Sequence, residues 1–305
     1  MSYRAEPDPA GEFASLAEVA DELGLEHSVI PSVGREFIQT GTGQTVSAVR
    51  WGIGRPELVF LHGGGQNART WDLVAMRIGR PAVAIDLPGH GHSSWRSDRD
   101  YSPVRSAGPI AEVIEQLAPD AAALVGMSLG GLTAIRVAAA HPELVRRMIL
   151  VDVTPGSVRA VKTMTHDQRG TTALIAGPRD FATFDEMVEL AVQASPRRSP
   201  ASVRRGVAHN AVRQADGTWR WRYDLADTAR RDSDAQALWQ DVEVLAMPTL
   251  LVRGGASVFV RAEDLAELAR RNPRIQVRQV DDAGHSVQSD QPDALSSLIT
   301  EFVFS

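Results

Sequence analysis

In Ala121-Ala122-Ala123-Leu124-Val125-Gly126-Met127-Ser128-Leu129-Gly130-Gly131 an apolar run of strand length ends in a glycine-flanked serine, and a helical pattern begins at once at Leu129. A chain that passes from strand to helix in so few residues turns sharply, and the G-x-S-x-G arrangement sets the serine at the apex. The flanking glycines relieve crowding, while Gly131, Ala134 and Ala138 let the following helix lie close to the strand. Ser128 then heads a helix, where free N–H groups and the positive end of the dipole favour a developing oxyanion. An ordinary strand–helix turn can carry the same five letters, so the surrounding chain has to separate the two readings.

Upstream, Leu58-Val59-Phe60-Leu61-His62-Gly63-Gly64-Gly65 runs from a strand-like stretch into a glycine loop. Such a loop can turn a backbone N–H toward a substrate oxygen, and Gly64 is the expected donor beside the N–H of Leu129. His62 has no suitably spaced second ligand and reads as a structural loop residue rather than a base or metal ligand.

Beyond these segments, short apolar runs alternate with helical patterns, as in a mostly parallel sheet covered on both faces by helices. The expected strands are 57–61, 82–86, 122–126, 148–152, 249–253 and 275–280, with helices such as 129–140 and 262–271 between them. Residues 35–40 and 45–51, joined through Gly41, Thr42 and Gly43, read as an antiparallel hairpin. The spacing of Phe13, Leu16, Val19, Ala20 and Leu23 predicts an amphipathic helix over 12–23, outside the main fold. The interval 154–247 shows no comparable buried strand and reads as an inserted helical cap. The expected organisation is an N-terminal extension over 1–30, an α/β core over 31–153 and 248–305, and a cap over 154–247.

The 305 residues suit one α/β domain with an insertion, and 43% hydrophobic with 23% charged residues is ordinary globular usage. A net charge of -6 gives no general attraction to nucleic acid or to an anionic membrane. With no cysteine, disulfides, thiolate metal sites and a Cys nucleophile are excluded. No apolar run reaches membrane-spanning length, and 1–11 shows no secretory pattern, so a cytoplasmic location is expected.

Taken in order, His62-Gly63-Gly64-Gly65, Asp86-Leu87-Pro88-Gly89-His90-Gly91, Gly126 to Gly131 and Gly284-His285-Ser286 resemble the landmarks of the α/β-hydrolase superfamily. Gly63 to Asn67 and Leu150 to Pro155 are most similar to small bacterial carboxylesterases of the mycobacterial type. The resemblance implies an α/β-hydrolase fold with an inserted helical cap and His285, in the loop after the last strand, as general base. His90 and His92 read as structural, and Asp86 as the residue that holds their loop by hydrogen bonds.

The orienting acid is less direct. Its common position in the superfamily follows the next-to-last strand, in the turn after Leu250-Leu251-Val252-Arg253-Gly254, and this chain has Val258 where relatives often carry Asp. Asp152, at the end of the buried run Met148-Ile149-Leu150-Val151, lies one strand from the elbow, about 4.8 Å away, and is the expected replacement. The mycobacterial resemblance implies the same choice. A strand-end Asp that caps Thr154 and the next turn is the alternative; Glu263 and Asp264 are weaker candidates, at a helix start where acids are common.

A serine nucleophile argues against the dehalogenases and epoxide hydrolases of this fold, which use Asp. What remains is acyl transfer from a small-molecule ester to water, with no cofactor and no metal. A C–C bond hydrolase and a ligand-binding or signalling protein with a retained triad stay open. In the cap, Arg197, Arg198, Arg204, Arg205, Arg220 and Arg222 suit a solvated surface or an anion-reading site, the former preferred. Trp219, Trp221 and Tyr223 alternate with them, consistent with an extended segment that anchors the cap.

Overall fold

The computed structural model describes residues 11–224 and 231–305. The first ten residues of the expected N-terminal extension, and 225–230 of the expected cap, lie outside the described residues. Strands β1 (Val33–Gln39), β2 (Thr45–Trp51), β3 (Leu58–Leu61), β4 (Ala82–Ile85), β5 (Ala123–Met127), β6 (Met148–Val151), β10 (Thr249–Gly254) and β11 (Gln276–Val280) form one eight-stranded sheet in the order β1-β2-β4-β3-β5-β6-β10-β11. From β4 to β11 every pairing is parallel, whereas β1–β2 and β2–β4 are antiparallel. The N-terminal hairpin therefore extends the sheet at one edge, and its turn places Gly43 at φ 76°, where glycine carries no Cβ penalty.

Because successive strand residues face opposite ways, each buried run feeds two cores. Val59, Leu61, Val83, Ile85, Leu124, Met148 and Leu150 pack on one face with the helices Pro103–Leu117 and Leu129–Ala140. Leu58, Phe60, Ala82, Ala84, Val125, Ile149 and Val151 pack on the other with Asp72–Ile78 and Pro292–Phe304. Both faces being covered explains why these strands read as continuous apolar runs rather than alternating ones.

Two expectations change. The N-terminal helix, Leu16–Glu22, is not outside the main fold: Leu16, Val19 and Ala20 are buried in the second core beside Trp51 and Trp71. Burying Leu16 and Val19 contributes about 1.5–3 kcal/mol each, so the segment is part of the core. The 154–247 interval also holds more than helices. Beside Phe184–Gln193 and Pro200–Asn210 it contains a small antiparallel sheet of β7 (Asp180–Phe181), β8 (Ala211–Arg213) and β9 (Trp219–Trp221), in the order β7-β9-β8. The alternating Trp219-Arg220-Trp221 segment is thus extended, as its pattern indicated. Trp221 meets Phe181 edge-on, Trp219 lies against Phe184, and Tyr223 stacks near His90 at 6.1 Å between ring centres. Backbone bonds from Gly91 N–H to Arg222 O and from Asp224 N–H to Gly89 O tie this segment to the loop after β4.

Asp86, fully buried at the end of β4, organises that loop. Its carboxylate accepts from Ala68 N–H (2.7 Å), His92 N–H (3.0 Å) and Arg35 Nη1 (2.7 Å). Arg35 in turn pairs with Glu12. Burial alone would raise the Asp86 pKa, but Arg35, His92, His62 and the donated N–H hold it at about 2. Replacing Asp86 by Asn leaves Arg35 buried without this partner, and a loss of about 3–5 kcal/mol is expected at pH 7 by chemical denaturation. Because the folded pKa lies below the unfolded value of about 3.9, this contribution is complete above pH 4. The wild-type advantage over Asp86→Asn should shrink as pH falls from 4 toward 2.

Candidate active site

The elbow has the geometry its letters imply. Ser128 has φ 51° and ψ -119°, a sparsely populated conformation that costs about 1–3 kcal/mol and persists only where the surroundings impose it. The glycines are required by close approach: a Cβ on Gly126 would lie 2.5 Å from Gly130 O, and one on Gly130 would collide with Leu61 O. Strand and helix therefore pack backbone to backbone, and Ser128 projects from the carboxyl edge of the sheet. Leu129 N–H, at the head of the helix, faces no intrahelical carbonyl.

Register brings the acid alongside. Met127 pairs with Val151, and Val151 with Val252, so Asp152 emerges between the elbow strand and β10. Its backbone N–H donates to Val252 O (2.8 Å). Asp152 is fully buried, with Oδ1 accepting from Gly254 N–H (3.0 Å) and Oδ2 accepting from the Ser257 hydroxyl and from His285 Nδ1 (2.8 Å). A carboxylate only accepts, so Nδ1 carries a proton, and the other ring nitrogen, Nε2, faces Ser128. That nitrogen is 3.1 Å from Ser128 Oγ. The alternative role for Asp152, capping Thr154, is not what the structure shows: Thr154 N–H donates instead to Ser157 Oγ (3.1 Å).

The other acidic candidates are engaged elsewhere. Glu263 pairs with Arg261 at 2.6 Å, and Asp264 accepts from Arg261 N–H (3.1 Å) at the start of Ala262–Arg271. His62 is buried and structural, as expected: its Nε2 accepts from Leu87 N–H (2.9 Å), its Nδ1 lies 2.7 Å from Gly63 O, and burial lowers its pKa. Burial, with help from Arg35, lowers the His92 pKa to about 4, so His92 is neutral at physiological pH.

The glycine loop makes a turn in which Gln66 N–H donates to Gly63 O (3.2 Å) and Gly65 takes φ 72°. Gln66 Oε1 accepts from Gly63 N–H (3.0 Å). A Cβ on Gly63 would sit 3.3 Å from Ser128 Cβ, and one on Gly64 would sit 4.0 Å from Leu129 Cβ. The loop and the elbow are thus in contact, with Gly64 beside Leu129. Among the described residues no cluster of His, Asp and Glu could hold a metal ion.

Two contributors escaped sequence reasoning. Ser257 supplies a hydroxyl to Asp152, and the Phe259 ring stacks on the His285 imidazole at 3.5 Å between centres and 9° between planes. Both come from the turn after β10. The signal was that turn itself: lacking an acid at Val258, it offers Ser257, beside Gly254 N–H at the end of β10, to a carboxylate arriving from the neighbouring strand.

Residues 58–298 match the alpha/beta hydrolase family. The chain belongs to that family. This alpha/beta hydrolase is 50% identical over 289 residues to the esterase Rv0045c of Mycobacterium tuberculosis, covering 94% of each chain. A solved structure of that esterase superposes with a TM-score of 0.83 at 48% identity, over 96% of this chain and 99% of the other. The mouse sn-1-specific diacylglycerol lipase ABHD11 is 29% identical over 258 residues, 81% of each chain. The likeness bears out the expected fold and a carboxylesterase-type hydrolase.

Ser257→Ala removes one donor from a buried carboxylate that positions the imidazole. Ester turnover should show kcat lowered about tenfold with KM little changed, and Ser257→Thr, which keeps the hydroxyl, should retain more of the rate.

Proposed function

We propose that the protein is a serine carboxylesterase in which Ser128, His285 and Asp152 form the triad and the N–H groups of Gly64 and Leu129 form the oxyanion hole. The continuous hydrogen-bonded chain from Ser128 Oγ through His285 to buried Asp152 carries this reading. In the first half-reaction His285 Nε2 takes the Ser128 proton as Oγ attacks the ester carbonyl. The tetrahedral oxyanion is held by the two N–H donors, and the imidazolium, stabilised by Asp152, passes its proton to the leaving alcohol. In the second half-reaction His285 activates a water that releases the acid and restores Ser128. The stacked Phe259 ring restricts the imidazole to the plane in which both of its nitrogens find their partners.

The cap closes over the glycine loop: a Cβ on Gly64 would meet Ile175 Cδ1 at 3.4 Å, and Asn210 Nδ2 donates to Gly65 O (2.7 Å). The substrate class is therefore a small to medium acyl ester bound under this insertion. Against a panel of p-nitrophenyl esters from acetate to longer acyl chains, the wild type should turn over repeatedly. Ser128→Ala should retain no more than about one part in a thousand of the rate. Tight ligand binding with a single slow turnover would instead indicate a receptor with a retained triad.

A further inference from the structure

Between the glycine loop and the cap lies a cavity of about 120 Å³ that begins at Gly64 and Gly65 and runs to Arg198, Arg205 and His209. Ser128 and His285 are not in its walls; the link to the elbow is Gly64. Arg69, Asp72, Arg198, Arg205 and His209 all line the cavity. Arg69 is matched by Asp72, its Nε donating to Oδ2 at 2.6 Å, and Arg205 is matched by Glu22. His209 is neutral, its pKa pushed well down by burial and then by Arg69 and Arg205, and it meets the Ser15 hydroxyl at 3.0 Å.

Arg198 differs from these. Its Nη2 donates to Ser202 O (3.1 Å) and Ser202 Oγ (3.2 Å), while its Nε is buried with no hydrogen-bond partner. Among the described residues no carboxylate lies within ion-pair distance of it, and the acidic groups acting on it are Asp290 and Glu22, at longer range. The guanidinium lies alongside Gly206, where a Cβ would stand in ordinary contact, 3.6 Å from Nη2 and 4.0 Å from Nη1. A desolvated cation without a counter-ion is costly. It is retained where an incoming anion completes the pair, and the planar guanidinium suits a carboxylate.

We propose that this cavity receives the acyl chain of the substrate and that Arg198 reads a carboxylate carried on that chain, away from the scissile ester. The proposal rests on the reading of Gly64 as an oxyanion donor. The acyl group stays on Ser128 between the two half-reactions while the alcohol departs after the first, and the proposal assigns the cavity beside Gly64 to the group that stays. The preferred substrates are then half-esters of dicarboxylic acids.

The test compares kcat/KM for ethyl esters of four- to eight-carbon monocarboxylic acids with that for monoethyl esters of dicarboxylic acids of the same lengths. The full chain is used as wild type, Arg198→Gln and Arg198→Lys. Reading the charged-to-neutral ratio within each variant cancels any general loss of activity. At one length or more the wild-type ratio should be about tenfold to a hundredfold, falling to about one in Arg198→Gln and partly restored in Arg198→Lys. A wild-type ratio near one at every length, with the neutral esters turned over, overturns the anion site and leaves the esterase reading intact. A high ratio unchanged in Arg198→Gln also overturns it. Absence of turnover on both series takes down the esterase reading and this proposal with it.

Discussion

A carboxylate with no exposure to water is tolerable only when its lone pairs are met by donors, and Asp152 imposes that condition on the centre of this molecule. Three donors meet it: Gly254 N–H, the Ser257 hydroxyl and His285 Nδ1. The first comes from the last residue of β10, the second from the turn after it, and the third from the loop after β11. The acid therefore pins the two strand ends on its far side and orients the imidazole toward Ser128 on its near side. Having Asp152 at the end of β6 places the charge between the elbow and the donors that stabilise it. The neighbouring turn carries Val258 and contributes a donor, Ser257, rather than an acid.

The same logic recurs one layer out. Asp86, also fully buried, is satisfied by backbone N–H groups and by Arg35, and so fixes the start of Ala68–Trp71 directly after the glycine loop. Arg35 reaches from the edge strand β1 and ties in Glu12 near the N-terminal helix. The cap reaches the same region through Asn210, Arg222 and Asp224. Sheet edge, N-terminal segment and cap thus converge on the loops after β3 and β4. Where the convergence leaves a gap, it leaves a cavity whose cations are matched except at Arg198.

Much of this was legible in the sequence because strand cores and the elbow are local signals. The six parallel strands appear as apolar runs of strand length, and their observed ends differ from the expected ones by one residue or so. Ser128, His285 and Asp152 could be paired because strand order turns three distant segments into neighbours at one sheet edge. What stayed hidden depends on side chains meeting across the chain. The strands of the small cap sheet span two or three residues each, too short for a period to show. Leu16 and Val19 formed a visible stripe, but nothing local says which surface it covers. Ser257 and Phe259 gain their meaning only from Asp152 and His285, each more than a hundred residues or a whole strand away. Of the six cap arginines, Arg204 and Arg220 pair with Asp185 and Asp180 in the solvated manner anticipated, while Arg198 and Arg205 turn inward. Composition could not separate them.

One steady-state measurement tests the proposed role of Asp152 most directly: the kcat of Asp152→Asn on a p-nitrophenyl ester, with folding checked by circular dichroism and thermal melting. An orienting carboxylate at this position predicts a fall of about three to four orders of magnitude with the fold retained, as the imidazole loses its tautomer and its stabilised cation. Near-wild-type turnover in Asp152→Asn, with activity lost in Glu263→Gln or Asp282→Asn, would contradict it.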